Sequence, residues 1–353
     1  MCNNNKYGKD RMEFLKQLLY KSSPSGQEYT ITSCIQDNVK DTLNTELDTI
    51  GNLYVFKGES DFTVMIIAHC DEVGFQITKI DENGFARVRR IGGTDRYVLP
   101  GAIVTTSTKG VSVSGVIGKK SPHSQNEKDR SHFPELASEL FVDFGFSSKN
   151  EAEKYIHIGQ CLSFAPCFLT LNNGKKIVSK GLDNKIGVYV MVECLNRISI
   201  DSTVAVVGVA TAQEEIGGRG SYIASIRKQP DVVFVVDCGV ATDIPANFDS
   251  NYPELFLGKG PAICINADNN REVTDILMKC AEVNGIPYQL YPGNVYSGGN
   301  EASMVWNSYK VKVANIFLPV RYMHSYSEMC DWNDVNNSIE LLSKTIDFLV
   351  NNL

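Results

Sequence analysis

The stretch TVMIIAHCD at residues 63–71 is the most informative part of this chain about its fold. Residues 63–68 form a near-continuous apolar run, which is typical of a strand that is buried on both faces. His69 and Asp71 follow directly after the run. In an open α/β sheet, ligands bind outside the carboxyl ends of the strands. The stretch therefore predicts a buried central strand and one part of a functional site.

Other parts of the chain contain similar apolar runs and segments with helical spacing. Further strand-like runs are predicted at 203–211, 232–236 and 313–318. Helical spacing of apolar residues predicts helices, which are expected at 6–20, 183–198, 220–227, 270–283 and 334–350. Buried strands that alternate with helices indicate an α/β fold in which the sheet lies between layers of helices.

Residues 73–164 interrupt this alternation. They contain short alternating segments separated by Gly, Asn, Asp and Lys, which is typical of a small all-β unit with frequent turns. We therefore expect a catalytic α/β domain formed by residues 1–72 plus 165–353, with an inserted β domain at 73–164. The polar segment 119–134 inside the insert is predicted to be a surface loop.

Composition limits the classes of partner. The 353 residues include 34 Lys and Arg against 41 Asp and Glu, a formal charge of −7. This balance argues against neutralising phosphates, so no nucleic-acid partner is expected. No run of 18 apolar residues occurs, so no membrane partner is expected either. The opening MCNNNKYGKD lacks a secretory signal, and ten cysteines without a CxxC pair fit a reducing compartment. We expect a cytoplasmic protein.

Five more potential ligand residues lie at the ends of predicted elements, four after strands and one at the start of a helix. Glu214 and Glu215 come one residue after an apolar run, and Asp237 directly follows VVFVV. His324 comes shortly after VANIFLPV, and Asp183 opens a predicted helix. Each residue alone has an ordinary explanation, such as a hydrogen-bonded loop histidine or a helix cap. Their combination at strand ends is what points to a site.

Two histidines and three carboxylates are the nitrogen and oxygen donors that zinc-like divalent ions bind. The pattern therefore predicts a centre for two metal ions. Of the adjacent carboxylates Glu214 and Glu215, one can coordinate metal while the other accepts a proton from water. Asp71 is placed to accept the second imidazole N–H of His69 and to set its tautomer.

These residues lie in motifs that resemble, in order, those of the M42 metallo-aminopeptidases, and the resemblance covers essentially the whole chain. The motifs are AHCDEVG at 68–74, GLDNKIG at 181–187, EEIGGRG at 214–220, Asp237, and PVRYMHS at 319–325. The insert adds LPG at 99–101 and ELFVD at 139–143. The resemblance implies a hydrolase that releases the N-terminal residue of short peptides.

The resemblance also implies two divalent ions per subunit, zinc or cobalt. His69 and Asp237 would hold one ion, Glu215 and His324 would hold the other, and Asp183 would bridge both.

Two further residues receive roles by the same resemblance. Glu214 would be the general base and later the proton donor, and Asp71 would be the hydrogen-bond partner of His69. The implied fold is a three-layer α/β/α domain of the phosphorylase/hydrolase type with a PDZ-like or barrel-like β insert. That insert would mediate assembly of a homo-oligomer, with dimers forming a dodecamer.

One segment departs from the family pattern. Where the family often has Gly-Thr-Asp-Ala, this chain has GGNEA at 298–302, with Asn300 and Glu301 replacing the Thr-Asp pair. Any substrate specificity that this loop provides in the family therefore cannot be carried over to this chain. Arg219 and Arg321 lie near the motifs and could bind an acidic substrate side chain, or could pair with the carboxylates of the site.

Two other functions are compatible with the resemblance. The first is a catalytically inactive assembly scaffold, which the presence of every proposed ligand and of the base argues against. The second is a glycoside hydrolase, because some family members carry an endoglucanase label. Glycosidases ordinarily use two carboxylates without a metal, whereas this pattern includes two well-placed histidines.

Overall fold

A mixed sheet flanked by helices forms the larger part of the described chain. The computed structural model describes residues 5–108, 110–127, 139–200, 203–245, 252–293, 301–306 and 310–352. The helices are α1 (Asn5–Tyr20), α2 (Tyr29–Gln36), α3 (Lys149–Ala152), α4 (Leu182–Arg197), α5 (Arg219–Lys228), α6 (Arg271–Asn284), α7 (Ala302–Val305) and α8 (Trp332–Asn352). The strands are β1 (Asn44–Leu47), β2 (Leu53–Lys57), β3 (Thr63–His69), β4 (Gly74–Ile80), β5 (Ala86–Ile91), β6 (Ile103–Thr108), β7 (Val111–Gly118), β8 (Phe141–Asp143), β9 (Cys161–Phe164), β10 (Phe168–Leu171), β11 (Lys176–Ser179), β12 (Ala205–Thr211), β13 (Val232–Val240), β14 (Ala262–Cys264), β15 (Gln289–Tyr291), β16 (Lys312–Val320) and β17 (Glu328–Asp331).

The large sheet has the strand order β1-β2-β12-β3-β13-β16-β14-β15. Its central strands β12, β3, β13 and β16 are parallel, while β2 and β14 flank them antiparallel. Because the four central strands run the same way, their carboxyl ends meet at one edge of the sheet. The predicted α/β class with a β insert is confirmed.

Strand β3 shows why the opening run is continuously apolar. Ile66 and Ala68 pack into one core, which includes side chains of α4 and α8. Met65 and Ile67 point to the other face and pack into a second core with side chains of α5 and α7. Alternate residues of a strand face opposite sides, so a strand covered on both faces is apolar at every position.

The insert folds into a closed six-stranded barrel with the order β4-β5-β8-β7-β6-β9. Its strands begin at Gly74 and end at Phe164, and its core is a cluster that includes Phe75, Leu162 and Phe164. Of the predicted surface loop at 119–134, residues 119–127 are described and include a short 3₁₀ turn at Pro122–Ser124. Residues 128–134 lie outside the described part of the chain.

The sequence pattern did not predict several short strands outside the barrel. A separate three-stranded sheet, β10-β11-β17, lies beside the main sheet, and β14 and β15 extend the main sheet with three residues each. Segments of three or four residues are too short to show a clear period, so only their pairing with distant strands defines them.

The nine described cysteines are free thiols, and seven of them are buried. Among the described residues, no helix is long and apolar enough to cross a membrane.

Candidate metal centre

The predicted ligand residues meet in a cavity of about 580 Å³ at the carboxyl edge of the sheet. Six of the seven predicted site residues line this cavity, namely His69, Asp183, Glu214, Glu215, Asp237 and His324. Asp71, the seventh, is fully buried behind them. The structure therefore brings together side chains from the end of β3, from within β13, from the segments after β12 and β16, and from the start of α4. Asp237 does not follow its strand as predicted, because β13 continues to Val240.

Asp183 lies between the two histidines. Its Oδ1 is 3.2 Å from Nε2 of His69, and its Oδ2 is 3.4 Å from Nε2 of His324. The side chain is almost completely buried, and Oδ1 has no hydrogen-bond partner. A carboxylate whose two oxygens face two different imidazoles is suited to bridging two cations.

The other carboxylates surround this centre. Nε2 of His69 is 3.7 Å from Oδ1 of Asp237 and 3.8 Å from Oε2 of Glu214. Nε2 of His324 is 3.3 Å from Oε1 of Glu215, an oxygen without a hydrogen-bond partner. In each of three such groups the potential ligand atoms lie within 4.8 Å of one another: His69–Asp183–Asp237, Asp183–Glu215–His324 and His69–Glu214–Glu215.

The second nitrogen of each imidazole faces an oxygen that orients the ring. Nδ1 of His69 is 3.1 Å from the main-chain oxygen of Asp71 and 3.5 Å from its Oδ1. Nδ1 of His324 is 3.0 Å from the main-chain oxygen of Gly93. Both rings therefore present Nε2 to the cavity, as is usual for metal-binding histidines. A Cβ atom at position 93 would lie 3.2 Å from Nδ1 of His324.

Asp71 also holds the loop that carries the two glutamates. Its carboxylate accepts hydrogen bonds from the main-chain N–H of Glu214 (2.9 Å) and of Glu215 (3.2 Å). It also accepts a hydrogen bond of 2.6 Å from the hydroxyl of Ser25. Asp71 therefore fixes the backbone of the glutamate pair as well as contacting His69.

Glu328 is a site residue that the sequence analysis missed. Its carboxylate accepts hydrogen bonds from the main-chain N–H of His324 (2.7 Å) and of Asp183 (3.0 Å). It is buried, and it lies on β17, a strand that the pattern did not predict. No local signal marks Glu328, because its role depends on contacts with residues far away in the chain.

A buried ionic cluster supports the start of α4. Nζ of Lys180 lies 2.6 Å and Nζ of Lys185 lies 3.0 Å from Oε1 of Glu72, and all three side chains are buried. Burial raises the pKa of a carboxyl group, but the two ammonium groups reverse this effect and lower the pKa of Glu72. Glu72 therefore remains ionised and links the segment after β3 to the segment before Asp183.

Burial raises the pKa of Glu214 well above its usual range, although His69 opposes the shift. Burial also raises the pKa of Asp237 to about 7 and raises that of Glu215. For Asp183 burial acts in the same direction, but the imidazoles of His324 and His69 beside its two oxygens outweigh burial and lower the pKa of Asp183. Close buried carboxylates leave negative charge that cations can compensate, so the site fits divalent ions.

Glu301, in the segment that departs from the family pattern, is fully buried. The hydroxyl of Thr211 donates a hydrogen bond to its Oε1, and burial raises its pKa to about 8. Residues 294–300, including Asn300, lie outside the described part of the chain.

The two arginines near the motifs do not line the cavity. Arg321 pairs with Asp243, with an Nη2–Oδ2 distance of 2.6 Å, and Arg219 donates a hydrogen bond of 3.1 Å to the side chain of Gln213. Arg321 therefore pairs with a carboxylate that is not one of the predicted site residues.

A mixed α/β sheet with buried His, Asp and Glu groups at its carboxyl edge and an inserted β-barrel defines a class of metallopeptidases. Sequence comparison identifies the family, because residues 51–341 match the profile described as M42 glutamyl aminopeptidase. The chain belongs to this family and is an aminopeptidase, so the predicted resemblance is confirmed.

Individual relatives match over nearly their whole length. The lysyl aminopeptidase of Pyrococcus furiosus is 32% identical, with 96% of this chain and 97% of the relative covered. A TET aminopeptidase structure from a marine-sediment thaumarchaeote has a TM-score of 0.89 at 27% identity and covers 99% of this chain and 98% of the other. A TET1 peptidase dodecamer has a TM-score of 0.84 at 29% identity, with 97% and 99% covered. Homologous TET peptidases thus assemble into dodecamers.

Replacing Glu328 should weaken metal binding without removing a ligand. In Glu328→Gln the amide NH₂ cannot accept a hydrogen bond, so one of the main-chain N–H groups of His324 and Asp183 loses its partner. Loss of a group that orients metal ligands typically costs about 10- to 100-fold in affinity. Competition titration with a zinc-binding dye measures this, with Glu340→Gln, an exposed position on α8, as the control. Equal zinc affinity of the two variants would contradict the positioning role of Glu328.

Proposed function

We propose that the protein hydrolyses the N-terminal residue of short peptides with the help of two divalent metal ions. The observation that carries the proposal is the position of Asp183, whose two oxygens face His69 and His324 separately. Asp237 lies beside the first histidine and Glu215 beside the second. The donor set is one that zinc or cobalt ions accept.

In this proposal the residues divide into two ion sites. His69 and Asp237 would hold one ion, Glu215 and His324 would hold the other, and Asp183 would contribute to both sites. When bound, the two ions supply Lewis acidity and lower the pKa of water. The orphaned buried oxygens of Asp183 and Glu215 support this arrangement, because buried polar atoms without a hydrogen-bond partner are uncommon.

The two adjacent glutamates differ in position, which supports different roles for them. The side chain of Glu215 is 4% exposed and faces His324, as expected of a ligand. The side chain of Glu214 is 13% exposed and lines the cavity. Glu214 would accept a proton from the attacking water and later donate it to the leaving amine. The hydrogen bond from its main-chain N–H to Asp71 keeps its backbone in place.

Substrate preference does not follow from the relatives. The family description names glutamyl residues, whereas the P. furiosus relative is called a lysyl aminopeptidase. These names specify opposite charges on the N-terminal side chain. Any preference of this chain has to come from the residues of its own cavity.

A panel of aminoacyl-arylamides tests the activity directly. We expect the metal-loaded protein to cleave substrates that have a free amine, to lose activity on chelation, and to regain it with Zn²⁺ or Co²⁺. N-acetylated arylamides are the controls and should not be cleaved. If the fully metallated protein cleaves none of the substrates, the aminopeptidase proposal is wrong and an inactive scaffold becomes the better explanation.

Two variants separate the general base from the bridging ligand. Glu214→Gln should lose about 10²–10⁴-fold in kcat, the usual contribution of general acid–base catalysis, while keeping both ions. Asp183→Asn should lose bound metal, because it removes the charge of a carboxylate shared by both sites. Elemental analysis of the dialysed proteins and kcat with one arylamide measure the two effects. Near-normal kcat in Glu214→Gln, or two retained ions in Asp183→Asn, would contradict the respective role.

We also propose that the barrel mediates assembly of dimers into a dodecamer. Its surface carries exposed apolar side chains, including the cross-strand pair Ile103 and Val116, which are 52% and 45% exposed. Light scattering should give a mass of twelve 39.0 kDa chains. Val116→Asp should shift the mass to smaller species, whereas Val283→Asp on α6 should not. A monomeric parent protein would refute this proposal.

A further inference from the structure

The cavity continues from the metal centre along strand β16. Phe317 pairs in register with Asp237 on the neighbouring parallel strand, so it stands at the level of the proposed ligands. Asn315, two residues earlier on the same strand, faces the same side, about 6.6 Å further into the fold. Both residues line the cavity. The space beside the metal centre is therefore a slot with an apolar wall that leads to a polar end.

Asp268 and Asn266 lie at this polar end, in the loop that follows β14. The loop is held rigidly, because Oδ1 of Asn266 accepts hydrogen bonds from the main-chain N–H of Asp268 (3.1 Å) and from Nδ2 of Asn269 (2.6 Å). Oδ1 of Asn269 in turn accepts a hydrogen bond of 2.6 Å from the main-chain N–H of Asn315. The main-chain oxygen of Asp268 accepts a bond of 3.0 Å from Nε1 of Trp306.

These bonds use the backbone of Asp268 and leave its carboxylate available. A short polar side chain in a turn often bonds to the backbone of its own turn, but here Asn266 does so. Among the described residues, none forms an ion pair or hydrogen bond with the Asp268 carboxylate, which is half-buried. A half-buried carboxylate at the end of a cavity is suited to pairing with a cation that enters it.

The charge of the cavity wall also favours a cationic ligand. Apart from the six proposed catalytic and metal-binding side chains, Asp268 is the charged residue among the described residues that line the cavity, and no Lys or Arg is among them. Arg219 and Arg321 are engaged elsewhere. An acidic side chain in the slot would meet the like charge of Asp268 without a Lys or Arg beside it, which disfavours an acidic substrate.

We propose that Asp268 makes this slot a subsite for a basic N-terminal side chain, a conclusion that rests on the proposed aminopeptidase function. The aliphatic stem of a lysine would lie along Phe317, and its ammonium group would pair with Asp268. Long basic side chains combine an apolar stem with a charged head in this way. The slot thus selects Lys or Arg at the substrate N-terminus by attraction and rejects Glu by repulsion.

The test compares lysyl, norleucyl and glutamyl p-nitroanilides with the zinc-loaded full-length protein. Norleucine has the same stem as lysine without the charge. The parent protein should cleave the lysyl substrate with the highest kcat/KM. Asp268→Asn should lower that value by about tenfold, as expected for one charge-assisted contact, and leave the norleucyl value within about twofold. Asp41→Asn, a change of the same charge at an exposed position away from the cavity, should alter neither.

Asp268→Lys is a stronger change than Asp268→Asn, because it reverses the charge. This variant should prefer the glutamyl substrate over the lysyl substrate. Thermal unfolding shows whether each variant is folded. A parent protein that prefers the glutamyl substrate, or an Asp268→Asn variant that loses lysyl and norleucyl activity alike, would overturn the subsite.

Calorimetric titration with free L-lysine and L-norleucine separates failure of the subsite from failure of the proposed function. Tighter binding of lysine by the parent protein, lost in Asp268→Asn, would support the subsite. Equal binding of the two amino acids would overturn it. Absence of cleavage of every substrate refutes the peptidase function by itself, and the titration then decides the subsite independently.

Discussion

The site depends on a single buried carboxylate, Asp183, which faces a histidine with each of its oxygens. Its own main-chain N–H is held by Glu328, and the segment that leads to it is anchored by the pairing of Glu72 with Lys180 and Lys185. Removing a charge from water is costly unless partners compensate it. The strand ends around Asp183 therefore have to supply those partners, and this requirement explains why so many polar side chains converge there.

The buried charges are arranged in two layers. Behind the cavity, Glu72 is neutralised by two lysines, so that layer is complete within the protein. In the cavity, the carboxylates outnumber the histidines, and Asp183 and Glu215 each have an oxygen without a hydrogen-bond partner. The cluster of Glu72, Lys180 and Lys185 holds the scaffold in place, whereas the carboxylates of the cavity remain deficient in positive charge. This difference distinguishes a structural ionic cluster from one that is suited to binding cations.

The barrel also takes part in the site. Gly93, in the segment between β5 and β6, contributes the carbonyl that faces His324, and a side chain at that position would crowd the imidazole. The insert therefore orients one of the proposed ligands in addition to any role in assembly. Motif analysis could not predict this contact, since it treated residues 73–164 as a separate unit.

Most of the large elements could be predicted from the sequence, because buried parallel strands are continuous apolar runs. The ends of these runs also pointed to residues that the structure brings together, since six of the seven predicted site residues line one cavity. The short strands β14, β15 and β17 could not be predicted, and neither could Glu328 and Asp268, which lie on or next to them. A segment of three or four residues has no measurable period. Its place in the fold comes from pairing with strands that are distant in sequence.

The fold class, the family and the set of potential donor residues could be predicted without the structure, since each of these depends on local patterns of apolar and polar residues. How adjacent residues differ is visible only in the folded structure, where Glu215 faces His324 while Glu214 lies beside His69. The fold likewise places Asp268 in the same cavity as the candidate metal ligands. The physical reason is that exposure and pairing depend on neighbours that the folded chain brings from elsewhere.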